Sequence, residues 1–274
     1  MRRALIVLAF IAAAAALAPW LAPFDPAAQL DIVSLKNSAP SFAHPLGTDV
    51  YSRDVLSRAL FGARTSLTVS LLATIIALVV GCAWGLLAAS VGARFGALLM
   101  SAVDVLRSIP RLLLYLGALV LLGAMQTAGL AVLLGLTAWT GTSHLVYLRA
   151  RDVQARPFVE GARSLGMSQW RVLTRHVVPH LSGPLSASGA LLLADLLALE
   201  AGLSFIGIGV RPPDASWGSM IQDALPYLRS AWWLAAVPCV LLMTTVLCAA
   251  RVADQLSRSP QSGDHVVADP RRHS

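Results

Sequence analysis

Residues 66–90 read SLTVSLLATIIALVVGCAWGLLAAS, a run of 25 residues that contains no charged side chain. The hydrocarbon core of a bilayer is about 30 Å thick, and a helix needs about 20 apolar residues to cross it. A segment in lipid must also satisfy its backbone N–H and C=O groups internally, which a helix does on its own. The run therefore predicts a membrane-spanning α-helix.

The composition of the whole chain extends this prediction. Of 274 residues, 57% are hydrophobic and only 13% are charged, against roughly 25% charged residues in a soluble domain. A single soluble core cannot bury so much apolar surface, and a disordered chain has the opposite composition. The net charge of +7 comes from residues scattered between apolar runs. The placement of these basic residues is therefore better explained by the orientation of the chain in a membrane than by binding to nucleic acid.

Six apolar runs predict an all-α, polytopic membrane protein with six transmembrane helices. They cover about residues 4–21, 66–90, 109–123, 128–148, 185–210 and 232–250. The first run could be a signal peptide, but the proline-flanked stretch at 19–23 is a poor cleavage site, so we expect a retained anchor. The expected organisation is an anchor at 1–22, an extracytoplasmic segment at 23–65, a five-helix domain at 66–251 with a cytoplasmic loop at about 150–184, and a cytoplasmic tail at 252–274.

The small residues within the spans predict packing rather than chemistry. Glycines in the second to fourth spans predict close helix–helix contacts. These glycines are Gly81, Gly85, Gly117, Gly123, Gly135 and Gly141. The cysteines Cys82, Cys239 and Cys248 lie in apolar runs without a CxxC pair, so we interpret them as packing residues and expect no metal site.

The Lys and Arg residues predict that both termini are cytoplasmic. An even number of spans places both termini on one side, and basic loops favour the cytoplasm. Of the 21 Lys and Arg residues, 15 fall on the side of the termini, Arg107 and Arg111 among them. The six on the other side are Lys36, Arg53, Arg58, Arg64, Arg211 and Arg229.

The loop from Arg149 to Pro184 is amphipathic and rich in arginine. Pro157 suits the first turn of a short helix, which Gly166 ends. A second short helix is predicted from Ser168 to His176, with Pro179 and Pro184 ending the loop. A basic loop lying on anionic lipid is the alternative interpretation.

The same loop resembles the EAA loop of binding-protein-dependent ABC importer permeases. The shared pattern is Glu160-Gly161-Ala162, then Gly166, then Val178-Pro179, with Gly161 in place of the usual alanine. In that family the loop docks on an ATPase subunit. The resemblance implies polar contacts to the ATPase from Glu160 and Arg163, and close approach at Ala162 and Gly166.

Two further blocks resemble the C-type permeases of dipeptide, oligopeptide and nickel importers. One comprises residues 44–49 and 53–58, and the other runs from residue 203 to 218. The resemblance implies a type I ABC importer permease fold and a subunit of an ATP-driven importer, most simply for di- or oligopeptides. The implied partners are a second homologous permease, two ATPase subunits and an extracytoplasmic substrate-binding protein, around an inner-membrane subunit with no nucleic-acid partner. The fourth-span end and the C-terminal stretch depart from the family pattern, which leaves the cargo open.

No GxxxxGK[ST] motif occurs in the chain, so we expect ATP and Mg²⁺ on the partner ATPases and no enzymatic activity or cofactor here. A nickel or metal-chelate importer is the alternative function. An ATP-independent secondary transporter is the second alternative, although we find no convincing inverted repeat. An intramembrane enzyme would need a pair such as HExxH within a span, which the sequence lacks.

Acidic residues in the fifth span are the remaining signal. Carboxylates at membrane depth are costly and indicate a functional site. Asp195 and Glu200 lie about 140° apart on a helix, so they do not share a face. In one interpretation they line the translocation path together with Ser204. In the other, each pairs with a polar group of the partner permease. Four residues are candidates for the side facing the binding protein, namely Asp49, Arg53, Asp54 and Trp217. For the first three a structural cap is the alternative, and Trp217, like Trp232 and Trp233, is also predicted to anchor the chain at the membrane interface.

Overall fold

The computed structural model describes residues 1–122 and 126–258, and within these ranges the chain is helical apart from loops and an isolated bridge between Thr48 and Asp54. The helices are α1 (Arg2–Ala16), α2 (Ala18–Leu21), α3 (Val55–Ser90), α4 (Ala93–Ser108), α5 (Arg111–Leu122), α6 (Thr127–Gln154), α7 (Pro157–Ser164), α8 (Gln169–Val172), α9 (Val178–Phe205), α10 (Trp217–Ala224) and α11 (Trp233–Arg258). A π-helical turn, Leu173–Val177, joins α8 to α9, and a 3₁₀ turn, Leu225–Tyr227, follows α10.

Four of the six predicted spans are single helices in the described part of the chain. They are α3, α6, the continuous helical stretch Gln169–Phe205, and α11. The first predicted span is divided into α1 and α2, and the third corresponds to α5 alone, because α4 ends at Ser108. The break between α4 and α5 lies at Ile109, which is extended because the ring of Pro110 disfavours helical geometry in the preceding residue. The expected tail is described only as far as Arg258.

The fifth span begins earlier than predicted. Helix α9 starts at Val178 rather than near residue 185, and neither proline ends the loop. Pro179 occupies the first turn of α9, where a missing backbone N–H group costs no hydrogen bond. Pro184 lies inside α9. The prediction that these prolines terminate the loop was wrong, because the π-helical turn carries the chain directly into α9.

Helix α3 is also longer than its apolar run. The Asp54 carboxylate caps it by accepting hydrogen bonds from the backbone N–H and the hydroxyl of Ser57, both at 2.8 Å. The helix therefore begins at Val55, well before residue 66. Its 36 residues correspond to about 54 Å, so α3 extends beyond a hydrocarbon core of about 30 Å.

Helices α3 and α6 pack closely along a row of small residues. Added Cβ atoms at Gly81 and Gly135 would lie 2.5 Å from Thr142 Cβ and 2.6 Å from Ile76 Cβ, respectively. Gly85 is equally tight against Ser143. The predicted role in helix packing is confirmed for these three glycines. It is wrong for Gly117 and Gly141, whose added Cβ atoms meet open space, and Gly123 lies outside the described residues.

The remaining long helices surround this pair. Helix α9 packs on α3 and α11, and α1 packs on α3 and α11. Val69 of α3, Leu134 of α6 and Leu196 of α9 share one buried cluster. A second cluster, which includes Ile11, Ala59, Trp217 and Leu234, joins α1, α3, α10 and α11. Helix α3 therefore contributes to both clusters and contacts most of the other long helices.

Replacing Gly81 with alanine should destabilise the fold. The new methyl group overlaps Thr142 and the Trp139 carbonyl, and such overpacking typically costs about 1–3 kcal/mol. Gly141→Ala is the matched control, because its methyl group meets no atom within 4 Å. Thermal unfolding of the purified protein in detergent should show a lower midpoint for Gly81→Ala alone. Equal midpoints for the two variants would show that α3 and α6 do not depend on this contact.

Candidate functional site

The segment from Pro157 to Val177, here called the coupling segment, is attached to the bundle by one apolar face. Its buried residues are Val159, Val172, Leu173 and Val177. They pack against Val146, Ala150 and Val153 of α6. The segment is therefore held to the end of α6 by burial of aliphatic side chains, and it does not lie free as a solvated loop.

Hydrogen bonds connect the coupling segment to the end of α3 as well. The Arg163 guanidinium donates to Gln154 Oε1 at 2.9 Å, and Gln154 Nε2 donates to the Ala89 carbonyl at 3.3 Å. The Gln169 side-chain amide donates to the Ser90 carbonyl. A displacement of the segment would therefore act on α3 and α6 together.

Gly166 ends α7 through its backbone conformation. Its φ of +83° lies in the left-handed region, which favours glycine. The N–H groups of Gly166 and Met167 donate to the carbonyls of Arg163 and Ala162 at 2.9 and 3.1 Å, the pattern of a Schellman C-cap. The predicted helix end is confirmed, and it gives this glycine of the EAA-like pattern a structural reason.

The outer face of the coupling segment is exposed and partly apolar. The side chain of Leu165 is 90% exposed and that of Trp170 is 76% exposed. The other predicted coupling residues are mostly exposed as well. Glu160, Gly161, Arg163, Gly166 and Pro179 are exposed, and Ala162 is half-buried. Two large, highly exposed apolar side chains in one short segment indicate a surface for a partner.

The two acids of α9 have different surroundings. Asp195 is exposed and pairs with the Arg111 guanidinium at 3.0 Å, whereas Glu200 is fully buried. The expectation that they do not share a face is confirmed. A second pair joins His144 Nε2 to Asp104 at 3.1 Å. Arg111 was counted on the side of the termini, and the structure places it in the first turn of α5, where it pairs with Asp195 of α9.

Glu200 and Ser204 hold the far end of α9 together. The Ser204 hydroxyl donates to Glu200 Oε1 at 2.7 Å and accepts from the Val210 N–H at 3.0 Å. Both side chains are buried. This arrangement folds the 206–210 turn back on the helix, and the role of these two residues in lining a path stays a prediction.

On the opposite side of the bundle from the coupling segment, four charged residues form a buried network. Asp49 and Asp223 each contact both Arg53 and Arg58, at distances between 2.6 and 3.3 Å. Arg53 and Arg58 are almost fully buried. The network attaches the loop before α3 to α10. Arg58 was missed as a site residue, because its partner Asp223 lies far away in the sequence.

The other two candidates for a binding-protein surface are also buried. Asp54 is fully buried and lies 3.0 Å from His44 Nδ1. The Trp217 indole is fully buried, and its Nε1 donates to the Ala59 carbonyl at 3.2 Å. The prediction that Trp217 is an interfacial anchor was wrong, because the indole packs in the core between α3 and α10. Contact of these regions with a binding protein stays a prediction.

Residues 81–259 match the family described as "Binding-protein-dependent transport system inner membrane component". The chain belongs to this family. A putative peptide transport system permease protein of Brucella suis is 33% identical over 257 residues, covering 93% of this chain and 85% of that protein. The di/tripeptide transport system permease protein DppC of Pseudomonas aeruginosa is 31% identical over 260 residues, covering 92% and 84%. These relatives confirm the resemblance drawn from the sequence motifs.

Solved structures of the MetNI methionine ABC transporter in inward-facing conformations share the fold. In one crystal form the TM-score is 0.56 at 18% identity, covering 72% of this chain and 95% of the matched chain. In another crystal form the TM-score is 0.59 at 17% identity, and the match covers 74% of this chain and 97% of the matched chain. The predicted type I ABC importer permease fold is thereby confirmed.

Asp49→Asn should loosen the loop before α3. The change removes one of the two carboxylates that face Arg53 and Arg58, and breaking a buried ion pair typically costs about 3–5 kcal/mol. Thermal unfolding should show a lower midpoint, and limited proteolysis should cut residues 22–54 faster than in the wild type. Asp254→Asn, which removes the exposed pair with Arg258, is the control and should change neither. Unaltered stability of Asp49→Asn would contradict a structural role for the network.

Proposed function

We propose that this chain is the permease subunit of an ATP-driven importer of short peptides, in which the coupling segment docks on an ATPase subunit. The observation that carries the proposal is the exposed apolar face formed by Leu165 and Trp170 on a segment anchored to α3 and α6. A second homologous permease, two ATPases and a substrate-binding protein complete the proposed transporter. ATP and Mg²⁺ are held by the ATPases, and this chain supplies no catalytic group.

The proposed mechanism transmits force through the coupling segment. Glu160 and Arg163 offer charged contacts to the ATPase, Leu165 and Trp170 offer apolar ones, and Gly161, Ala162, Gly166 and Pro179 line the same surface. Closure of the two ATPases would push on this surface. Because Val159 and Gln169 join the segment to α6 and α3, the helices would move as rigid bodies between discrete packing arrangements. The central path would then open to the other side of the membrane.

Peptide cargo is proposed from the relatives, whose printed functions are peptide and di/tripeptide transport. A nickel or metal-chelate cargo is the alternative, but no three His, Cys, Asp or Glu side chains in residues 1–122 and 126–258 are grouped as a metal site. The exposed coupling surface also favours an ATPase-driven importer over a secondary transporter. We place the chain in the inner membrane as a multi-pass protein with both termini and the coupling segment in the cytoplasm.

The first experiment is copurification of the chain with its candidate permease and ATPase partners, followed by ATP hydrolysis with and without peptide-loaded binding protein. Trp170→Ala and Glu160→Lys should reduce copurified ATPase and the stimulation by loaded binding protein about tenfold or more. Tryptophan is a typical energetic hot spot of docking surfaces, and the Glu160 change reverses a charge that faces the ATPase. Their unfolding midpoints should stay at the wild-type value, because both side chains are exposed.

Val159→Ala is the matched contrast in α7, the helix that also carries Glu160. The Val159 side chain is fully buried, so the change should lower the unfolding midpoint and affect coupling only through lost stability. Normal coupling in Trp170→Ala and Glu160→Lys would refute docking through this surface. A wild-type chain that transports without any ATPase would instead support the secondary transporter.

A further inference from the structure

The ion pair between Arg111 and Asp195 connects the start of α5 to the middle part of α9 and is partly exposed. The two side chains are 39% and 55% exposed, and their charged atoms are 3.0 Å apart. From Asp195 to the end of α9 at Phe205 the helix rises about 15 Å. This is half the thickness of a hydrocarbon core of about 30 Å. Helix α9 has 28 residues and rises about 42 Å, and Asp195 lies about 5 Å from its midpoint. The pair therefore lies within the part of α9 that crosses the hydrocarbon core.

Charged side chains at this depth almost always face a water-filled cavity or other protein rather than lipid. The exposed stripe of α9 around Asp195 consists of Leu191, Asp195, Ala198 and Gly202. His144 Nε2 and the Asp104 carboxylate lie 3.1 Å apart and form a second partly exposed polar contact. Two such contacts on the open surface of one bundle indicate that this surface borders an aqueous path.

The helices that carry the pair are held in place by other contacts. One turn after Arg111, the Tyr115 hydroxyl accepts a hydrogen bond from Thr137 Oγ1 at 2.9 Å, and Tyr115 is buried. This contact attaches α5 to α6. Leu196, the neighbour of Asp195, is fully buried in the cluster shared with α3 and α6. The guanidinium and the carboxylate are thus presented side by side from two fixed helices.

We propose that Arg111 and Asp195 bind the two charged ends of a free peptide as it crosses the membrane. Arg111 takes the terminal carboxylate, for which its planar fork is suited, and Asp195 takes the terminal ammonium group. The two ends of an extended tripeptide lie about 10 Å apart, so the long Arg111 side chain swings away from Asp195 when the peptide binds. The peptide then exchanges one ion pair for two, and no charge is left without a partner at membrane depth. This inference rests on the proposed peptide importer and adds a site of charge recognition within its path.

The test measures access to a cysteine next to the pair. In the assembled transporter with Cys82, Cys239 and Cys248 replaced by alanine, Ala198→Cys would be treated with a cationic or an anionic methanethiosulfonate reagent. Val79→Cys, on an exposed apolar face of α3, is the control facing lipid. Protection would be compared between trialanine and N-acetyl-trialanine amide, which lacks both terminal charges.

We expect Ala198→Cys to react and Val79→Cys to stay unmodified. Adding Asp195→Asn should shift the ratio of cationic to anionic reaction rates about tenfold toward the anionic reagent, and Arg111→Gln should shift it in the opposite direction. Trialanine should slow the reaction and the capped peptide should not. Both variants should lose this protection, and Asp195→Glu should retain it.

Three outcomes would overturn the site. These are an unreactive Ala198→Cys, equal protection by the free and capped peptides, or unchanged protection in Asp195→Asn and Arg111→Gln. The reagent ratio is measured without transport, so it separates this site from the proposed function. A wild-type transporter that imports no peptide, yet shows the charge-dependent ratio, would refute the peptide importer and leave the aqueous path standing.

Discussion

The close approach of α3 to α6 is the contact on which the rest of the structure depends. Lipid gives helices no hydrophobic reason to associate, so their association relies on close packing of small residues. Gly81, Gly85 and Gly135 provide it, because each lies where a methyl group would overlap the facing helix. Helix α3 is also long enough to reach both extramembrane regions. Its start enters the Arg53–Arg58 network and its end contacts the coupling segment.

The burial of charged side chains differs between three regions of the protein. At the start of α3 the arginines are buried and neutralised by two carboxylates, which fits a rigid attachment between the preceding loop and α10. In the middle part of α9 the Arg111–Asp195 pair is partly open, and under the proposal each charge exchanges its partner for one end of a peptide. On the coupling segment, Glu160 and Arg163 are exposed, as a docking surface requires. In the proposed importer the same residue types thus serve attachment, recognition and docking according to their burial.

The coupling segment, which consists of α7, α8 and a π-helical turn, combines firm attachment with an open surface. Its inner face, represented by Val159, is buried against α6, and its outer face, represented by Leu165, is almost wholly exposed. Gly166 makes the sharp turn between α7 and α8 because its positive φ is open to glycine. Firm attachment on one side and an open apolar surface on the other are what a part that transmits force between subunits needs.

The sequence by itself determined the membrane class, the family and the position of the coupling segment. These depend on local properties, namely the length of apolar runs and the spacing from Glu160 to Pro179. The end of α7 at Gly166 was predictable for the same reason. Only the tertiary structure decided that Trp217 is buried, that α9 runs through Pro184, and that Arg111 meets Asp195. Burial and ion pairing depend on residues far apart in the chain, and hydropathy along the sequence carries no information about which of them become neighbours.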